Sequence, residues 1–388
     1  MPRKLATRMD RVSPSATMEI RRRAEELRRA GADVIDLGPG EPDFDTPEPV
    51  RRAGIAAIEA GHTGYTQAGG IPALREAIVA RYRRDYGVSY TSDEVIVAAG
   101  AKQALFSLAL ALFDEGDEVL IPVPYWVTYP EVVRLCGAEP VFVPTHPDDG
   151  FHLVPEAVAE RVGPRTVALI VNSPCNPTGA LLGPDELEAI VELARAHDFY
   201  VIFDEAYEAI VYERGPFSAA PLKDEHVIVV GSLSKSHAMP GWRIGWALGP
   251  REVIRAALAI QSHSITHPAS ISQYAALEAL EGPWDGVGEM VTELRRRRDL
   301  AAEALNRIPG VECPVPEGAF YLFPDFSRYL GGDTVALAGR LLEEAHVAVV
   351  PGEAFGWPGR VRISLTRPRE LLREAVSRMA ATLEGLRD

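Results

Sequence analysis

Short apolar runs alternate with amphipathic stretches of helical period along most of this chain. The runs are rich in Val, Ile and Leu, which is typical of strands that are buried on both faces. One helical stretch, residues 184–197, has proline in its first turn and an apolar stripe. The alternation predicts an α/β fold with helices on both faces of a mainly parallel sheet. The predicted strands are Val95–Ala98, Glu118–Ile121, Pro140–Val143, Val167–Val171, Tyr200–Phe203, Val227–Val230 and Ile244–Leu248.

The composition of the chain changes towards its C-terminus, which indicates a second domain. After about Pro283 the predicted elements are a long charged helix, two strand-like segments and a final helix: Met290–Arg307, Ala319–Phe323, Val347–Val350 and Glu370 to the end. We expect a large domain over residues 48–285 and a smaller α+β domain over residues 286–388. The N-terminal arm and helix, residues 1–47, are expected to join the smaller domain. That helix is predicted at about Thr17–Ala30, where a glycine ends it.

Charge and cysteine content limit the classes of function. The formal net charge of −15 argues against a nucleic-acid surface, which needs clustered positive charge. Cys136, Cys175 and Cys313 form no CxxC pair, and their odd number suits a reducing compartment. The N-terminus lacks the apolar core of a signal peptide, and the most apolar window, Ala104–Phe113, is about half as long as a membrane span. We expect a cytoplasmic protein with no nucleic-acid or membrane partner and no metal site.

Three polar segments directly follow predicted strands. They are residues 172–179 (NSPCNPTG), 203–207 (FDEAY) and 231–235 (GSLSK). Each alone has a simple explanation, namely a turn, a helix cap or a solvated lysine. In a parallel sheet, however, the carboxyl ends of the strands meet at one edge, where ligands bind. Together the segments bring Asn, Asp, Tyr, Ser and Lys to one place, which suits a pyridine ring with a hydroxyl, an aldehyde and a phosphate.

These segments, followed by GWRIG at 241–245, resemble the motifs of fold-type I pyridoxal-phosphate aminotransferases of class I/II, a group that includes bacterial aspartate aminotransferases. The resemblance extends from PSAT at 14–17 and GEPDFDTP at 40–47 to VRISL at 361–365. It implies a large domain with a seven-stranded, mainly parallel sheet. It also implies pyridoxal 5′-phosphate as cofactor and transfer of an amino group from an L-amino acid, aspartate or glutamate, to a 2-oxo acid such as 2-oxoglutarate.

The resemblance implies a role for each polar residue of the cofactor site. Lys235 is the lysine that bonds to the cofactor aldehyde and later carries a proton to or from the substrate. Asp204 faces the pyridine nitrogen and keeps it protonated. The other implied contacts are Trp126 on the ring face, Asn176 and Tyr207 at the ring hydroxyl, and Ala101, Lys102, Gln103, Ser232 and Arg243 at the phosphate. Tyr65 matches a tyrosine that reaches the neighbouring subunit's phosphate, which implies a homodimer with shared sites.

The substrate side of the site is implied in the same way. Arg362 matches the fork that holds the α-carboxylate, and Gly38 and Gly40 belong to the loop that approaches this group. Lys102 opens a helix, where a cation is unfavourable. The resemblance implies that Lys102 binds the distal carboxylate of an acidic substrate, although a solvated surface lysine is the alternative. The other implied substrate residues are Trp126, Asn176, Ser15 and Thr17.

Other readings of the same residues are weaker. Ser232–Lys235 also spells S-x-x-K, but the chain lacks the SDN and later KTG elements of serine acyltransferases. No GxGxxG motif follows a predicted strand, as a nicotinamide enzyme would require. An aminotransferase-like transcription regulator would need a DNA-binding segment before the domain. The open alternatives lie within the same fold: an aromatic or alanine aminotransferase, or a lyase that uses the same cofactor.

Overall fold

The computed structural model describes residues 5–13, 16–282 and 286–386, and these contain twelve α-helices and twelve strands. The helices are α1 (Ala16–Arg29), α2 (Glu48–Glu59), α3 (Pro72–Tyr86), α4 (Ala101–Leu112), α5 (Thr128–Leu135), α6 (Pro155–Ala159), α7 (Pro184–His197), α8 (Arg251–Ser264), α9 (Ser270–Glu281), α10 (Val287–Asn306), α11 (Thr334–Glu344) and α12 (Arg369–Glu384). The strands are β1 (Ile35–Asp36), β2 (Val95–Ala98), β3 (Glu118–Val123), β4 (Glu139–Pro144), β5 (Thr166–Asn172), β6 (Tyr200–Asp204), β7 (Val227–Ser232), β8 (Gly245–Leu248), β9 (Tyr321–Leu322), β10 (Val347–Ala348), β11 (Val350–Pro351) and β12 (Val361–Ser364). Among these helices, none is long and apolar enough to cross a bilayer.

Seven strands form one central sheet in the order β2-β8-β7-β6-β5-β3-β4. All neighbours are parallel except β8, which runs antiparallel to both β2 and β7. The mainly parallel seven-stranded sheet predicted from the alternating runs is therefore confirmed. Five of the seven strands extend one or two residues beyond their predicted carboxyl ends, and β5, β6 and β7 do so into the polar residues Asn172, Asp204 and Ser232, whereas β8 begins one residue later than predicted.

The central sheet is buried on both faces. In β7, Val227 and Val229 belong to one apolar core, while Ile228 and Val230 belong to another core on the opposite face. Successive side chains of a strand point to opposite faces, so every residue of such a strand must be apolar. This arrangement explains why the strands appear in the sequence as continuous apolar runs.

A further apolar core is built mainly by α10, α11, α12 and the short strands β9, β10 and β12, and Ile35, Leu37, Tyr207, Ile210 and Tyr212 also belong to it. The prediction of one strand at Val347–Val350 is wrong in detail, because two strands of different sheets occupy it. β10 pairs with β1 in parallel, whereas β11 pairs with β12 in antiparallel fashion, so the chain changes partner at Val349. The predicted strand at Ala319–Phe323 is reduced to the two paired residues of β9.

Candidate active site

The carboxyl ends of three adjacent parallel strands meet at one edge of the central sheet. Asn172 ends β5, Asp204 ends β6 and Ser232 ends β7, and Asn172 lies directly opposite Asp204 in the ladder. A cavity of about 670 Å³ opens at this edge, within the size range of pockets that bind small molecules. Its wall includes most residues singled out from the sequence: Gly38, Gly40, Ala101, Lys102, Trp126, Asn176, Asp204, Tyr207, Ser232, Lys235, Arg243 and Arg362.

Lys235 follows β7 and is partly buried against the cavity. Its Nζ donates a hydrogen bond to the carbonyl oxygen of Gly40. Burial lowers the pKa of Lys235 to about 8, and the positive charges of Arg362 and Arg243 act in the same direction. About a tenth of the amine is therefore uncharged at pH 7, against well under a thousandth for an ordinary lysine, and only the uncharged form can act as a nucleophile or a base.

Asp204 is a buried carboxylate with hydrogen-bond donors but no ion pair among the described residues. The Tyr129 hydroxyl donates to its Oδ2 at 2.8 Å, and the backbone N–H of Ala206 donates to its Oδ1 at 3.1 Å. Burial raises the pKa of Asp204, and these two donors oppose that shift. A buried carboxylate of this kind suits a ligand that presents a positive N–H group.

The turn before α4 forms a second wall of the cavity. Gly100 adopts φ +87°, and a Cβ there would lie 2.7 Å from Nη2 of Arg243. α4 begins at the next residue, and the first N–H groups of a helix have no partner in their own helix. Arg243 itself has a φ of +56° and donates from Nη1 to the carbonyl oxygen of Pro240 at 2.8 Å. Helix N-terminus and guanidinium together form a cradle for an anion such as phosphate.

Ser232 and Gln103, two further residues predicted to bind phosphate, differ in position. Ser232 lines the cavity, and its Oγ accepts a hydrogen bond from the Ser234 N–H at 3.0 Å, so its own hydroxyl hydrogen is left to donate. The Gln103 side chain instead donates to Ser107 Oγ at 3.2 Å within α4. Its backbone N–H donates to the carbonyl oxygen of Gly100 at 3.1 Å, so the phosphate contact of Gln103 stays a prediction from the sequence.

Arg362 is the most deeply buried cation of the site, with 3% of its surface exposed. Its Nη1 donates to Asn176 Oδ1 at 2.9 Å, and its Nη2 donates to the carbonyl oxygen of Gly38 at 2.6 Å. Its Nε has no hydrogen-bond partner within the described residues. No carboxylate of the described chain lies within salt-bridge distance of this guanidinium, so its positive charge is free to bind an anionic ligand.

Aromatic side chains surround these polar groups. The Nζ of Lys102 lies 4.8 Å from the ring centroid of Trp126, and the Tyr207 hydroxyl lies 2.8 Å from that of Tyr321. Burial lowers the pKa of Lys102, and the nearby charge of Arg243 adds to this effect. Lys102 is nevertheless an exposed residue, and no carboxylate of the described chain pairs with its ammonium, so this charge is available to a negative group of a ligand.

Of the predicted site residues that the structure describes, Tyr65 and Gln103 do not line this cavity. Tyr65 is 92% exposed, with its ring edge-on to His267 at 5.6 Å. Ser15 lies outside the described residues, and so does the side chain of Thr17.

Two tyrosines of the site, Tyr129 and Tyr321, were not predicted from the sequence. Tyr129 follows Trp126 by three positions, a helical spacing that could have placed both on one face. Tyr321 packs against Arg362, with 4.4 Å between the guanidinium carbon and the ring centroid. A side chain on Gly40 would collide with the Tyr321 hydroxyl, which accounts for the glycine at that position. No local sequence pattern predicts that Tyr321 belongs to the site.

Comparisons with known proteins agree with this geometry. The family model of aminotransferase class I and II matches residues 32–379. The aspartate aminotransferase of Geobacillus stearothermophilus is 45% identical over 98% of this chain and 99% of its own length. The aspartate/prephenate aminotransferase of Thermus thermophilus is 47% identical over 98% of this chain and 99% of its own length. A solved structure of Thermus thermophilus aspartate aminotransferase with maleate has a TM-score of 0.95, at 47% identity, and covers 98% of this chain and 100% of that one.

Proposed function

Because the chain belongs to the class I and II aminotransferases, we propose that its cavity binds pyridoxal 5′-phosphate and that aspartate or glutamate is its amino donor. The amino acceptor is a 2-oxo acid such as 2-oxoglutarate. One observation carries the proposal: a buried amine, Lys235, and a buried guanidinium without a carboxylate partner, Arg362, line the same cavity. The amine suits the chemistry of an amino-group carrier, and the guanidinium suits the α-carboxylate of an amino acid.

The other groups of the cavity fit this cofactor. Asp204 offers a buried negative charge to a protonated ring nitrogen, and Trp126 offers an aromatic face. Gly100 leaves the N-terminus of α4 open beside Arg243, where a phosphate is stabilised by N–H groups and by charge. When bound, the cofactor supplies a ring that withdraws electrons from the α-carbon of the substrate.

The residues of the chain supply binding, orientation and proton transfer. Arg362 binds the α-carboxylate, while Asn176, which accepts a hydrogen bond from Arg362, keeps the guanidinium oriented. Lys235 Nζ, oriented by the carbonyl oxygen of Gly40, takes the proton from the α-carbon and returns a proton after the amino group has moved. Tyr207, Asn176 and Ser232 are assigned to the hydroxyl and phosphate groups of the cofactor.

Lys102 supports the choice of an acidic donor. Lys102 is exposed on the cavity wall, with its Nζ 4.8 Å from the ring centroid of Trp126, and no carboxylate of the described chain forms an ion pair with it. The distal carboxylate of aspartate or glutamate would neutralise this charge. Ser15 and Thr17 stay predicted contacts of the same carboxylate.

The donor assignment is tested by Lys102→Ala with charged and uncharged amino acids. We expect kcat/KM for aspartate to fall by an amount equivalent to about 1.5–3 kcal/mol, the value of a charge-assisted hydrogen bond. Alanine and phenylalanine should react at nearly the wild-type rate, since neither has a carboxylate to lose. The measurement is the change in absorbance of the bound cofactor on mixing with each donor, which needs no assumed acceptor. Equal losses for all donors would favour an aromatic or alanine aminotransferase instead.

We also propose a homodimer, a two-domain chain and a cytoplasmic location. Exposed apolar residues on α2, Ile55 and Ile58, and the exposed Tyr65 support a partner surface. The core built mainly by C-terminal helices and the pairing of β1 with β10 support a small domain, residues 1–47 and 286–388, beside a large domain at 48–285. The cytoplasmic location rests on the cysteine content alone.

A further inference from the structure

The loop that follows β1, residues 38–45, supplies two carbonyl groups to the site. The carbonyl oxygen of Gly38 accepts a hydrogen bond from Arg362, and that of Gly40 accepts one from Lys235. In the described chain, no backbone group of this 38–45 loop is hydrogen-bonded to another backbone group. The loop that orients two cations of the site is therefore not fixed by regular secondary structure, and its position depends on side-chain contacts.

One buried arginine of α10, Arg297, supplies such contacts. Its Nη1 donates to both carboxylate oxygens of Asp43, at 2.7 and 2.9 Å, and its guanidinium carbon lies 5.1 Å from the ring centroid of Phe44. Glu293, one turn earlier on α10, accepts from its Nε at 3.1 Å. The side chains of Arg297 and Asp43 are 7% and 17% exposed, so water screens this ion pair little. The pair is the main polar anchor of the loop outside the site itself.

The same guanidinium also contacts the segment that carries Arg362. Its Nη1 donates to the carbonyl oxygen of Leu365 at 3.2 Å, and Leu365 directly follows β12, three positions after Arg362. The backbone N–H of Ser364 donates to the carbonyl oxygen of Leu37, so the end of β12 adjoins the start of the loop. Arg297 therefore fixes the loop and the strand relative to each other, and these two segments meet at the guanidinium assigned to the substrate.

We propose that Arg297 is a positioning residue for substrate binding: through Asp43 it keeps the 38–45 loop in the conformation that orients Arg362 towards the α-carboxylate. The inference rests on the proposed function, which assigns Arg362 to that carboxylate. Without the ion pair the loop adopts more conformations, and the free energy of ordering it opposes substrate binding. The apparent affinity then falls in proportion to the fraction of chains in which the loop is correctly placed. The groups assigned to the cofactor ring and phosphate lie on other segments, so cofactor affinity is unaffected.

The test compares Arg297→Gln with Arg298→Gln in the holoenzyme. Arg298, the next residue of α10, is also buried and forms an ion pair with Glu213, which is not among the residues that line the cavity. For Arg297→Gln we expect the half-saturating concentrations of aspartate and alanine, followed by the absorbance of the bound cofactor, to rise about tenfold, the scale of one charge-assisted hydrogen bond. Both donors are affected, because both bind through the α-carboxylate. The rate at saturation should change less than threefold, because bound substrate has already ordered the loop.

The control variant should leave both half-saturating concentrations at the wild-type values, although it also loses a buried ion pair and with it thermal stability. Equilibrium dialysis should give the wild-type affinity for pyridoxal phosphate in both variants. Asp43→Ala breaks the same contact from the side of the loop, so it should reproduce the effect of Arg297→Gln without removing a buried cation. The double variant should be no worse than either single one, since both changes remove one interaction.

Proteolysis reports the loop directly. Chymotrypsin should cleave after Phe44 faster in Arg297→Gln than in wild type or Arg298→Gln, because the ring loses the guanidinium packed against it. Unchanged half-saturating concentrations, additive effects of the two single changes, an equal effect in Arg298→Gln, or wild-type cleavage after Phe44 would each overturn the role of Arg297. Failure of the proposed function has a different signature: the wild-type holoenzyme itself would react with neither amino acid, while the cleavage rates would still distinguish the two arginine variants.

Discussion

At the scale of single residues, the buried amine of Lys235 connects the chemistry of the site with the stability of the fold. A charged group is most stable in water, so an ammonium buried at the end of β7 destabilises the folded chain whenever it is protonated. Burial lowers its pKa to about 8 from the ordinary 10.5. The burial that makes the amine reactive therefore also lowers the free energy of unfolding at neutral pH, where most of the amine is protonated.

We predict that this cost is visible in the pH dependence of stability. Between pH 8 and 10.5 the unfolded chain keeps a proton that the folded chain has released, so this lysine raises the free energy of unfolding with pH. Lys235→Met removes the effect. Without cofactor, the variant should be more stable than wild type at pH 7, and its advantage should shrink from about pH 8 upwards. Urea unfolding at four pH values measures this; a constant difference would contradict the prediction.

A second residue-scale prediction concerns Tyr129. Burial and the charge of Asp204 raise the pKa of Tyr129 well above its ordinary value, so the phenol keeps its proton and donates to Asp204. Tyr129→Phe removes that donor and raises the pKa of Asp204 further, which weakens its hold on a positive ring nitrogen.

We expect kcat of Tyr129→Phe to fall by an amount equivalent to about 1–3 kcal/mol, the cost of a lost hydrogen bond to a buried carboxylate. Tyr125→Phe is the control, because Tyr125 stacks on Phe142 and makes no hydrogen bond with Asp204. Equal rates for the two variants would show that Tyr129 only fills space. The ¹⁵N chemical shift of the bound pyridine nitrogen reports the change in protonation directly.

The motifs predicted the residues of the site far better than their surroundings. Lys235 and Asp204 could be placed because each follows a strong strand signal in a parallel sheet. Tyr129 could not, because its role depends on a hydrogen bond to a residue 75 positions away. The burial of Arg362 could not be predicted either, because an alternating strand pattern does not show which of the two faces packs against the rest of the protein.

At the scale of elements, the turn between β2 and α4 shows how the backbone alone prepares a binding site. Gly100 combines a positive φ with a position against Arg243, and no other residue type satisfies both conditions. We predict that Gly100→Ala lowers stability by about 1 kcal/mol through backbone strain and weakens cofactor binding about tenfold, because its Cβ displaces the guanidinium.

The matched control for this prediction is Gly87→Ala. Gly87 ends α3 with a φ of +71° and has no atom within 4 Å of its Cβ position. It should show the same loss of stability with no change in cofactor affinity. Equilibrium dialysis against pyridoxal phosphate, together with thermal unfolding, separates the two effects; equal affinities in both variants would refute the steric role of Gly100.

Elements with local signals were predicted well, whereas those that depend on distant partners were not. α7 was predicted at its observed bounds, because Pro184 fits the first turn and the left-handed Asp198 ends the helix. The division of residues 347–351 into β10 and β11 depends on β1 and β12, which come from opposite ends of the chain. Pairing between such distant segments cannot be predicted from a short window of sequence.

At the scale of the whole molecule, the exposure of Tyr65 bears on the number of chains in the active unit. Tyr65 is 92% exposed, and tyrosine is one of the residue types enriched among those that contribute most to binding at interfaces. We predict that Lys235→Ala and Tyr65→Ala, each impaired alone, recover activity when mixed and reassociated. In a heterodimer with shared sites, one site receives both defects and the other receives none.

Mixing experiments distinguish this arrangement from a self-contained chain. If Tyr65 served its own subunit, no heterodimer would contain an intact site, and the mixture would stay at the average of the two variants. Sedimentation at the working concentration provides the companion measurement. A fully active monomer would refute the shared site.

The hydrogen bonds of Arg362 have a consequence for the order of events during folding. They join it to Asn176, 186 positions earlier, and to Gly38, 324 positions earlier. The groups of the same chain that are assigned to its cofactor, by contrast, come from the middle of the chain, between Gly100 and Arg243; Tyr65 is assigned to the neighbouring subunit's cofactor. Contacts between such distant segments close last, because long loops cost the most entropy. During folding, the chain can therefore bind its cofactor before its substrate site is complete. When the enzyme is refolded, the absorbance of the bound cofactor should return before catalytic activity does.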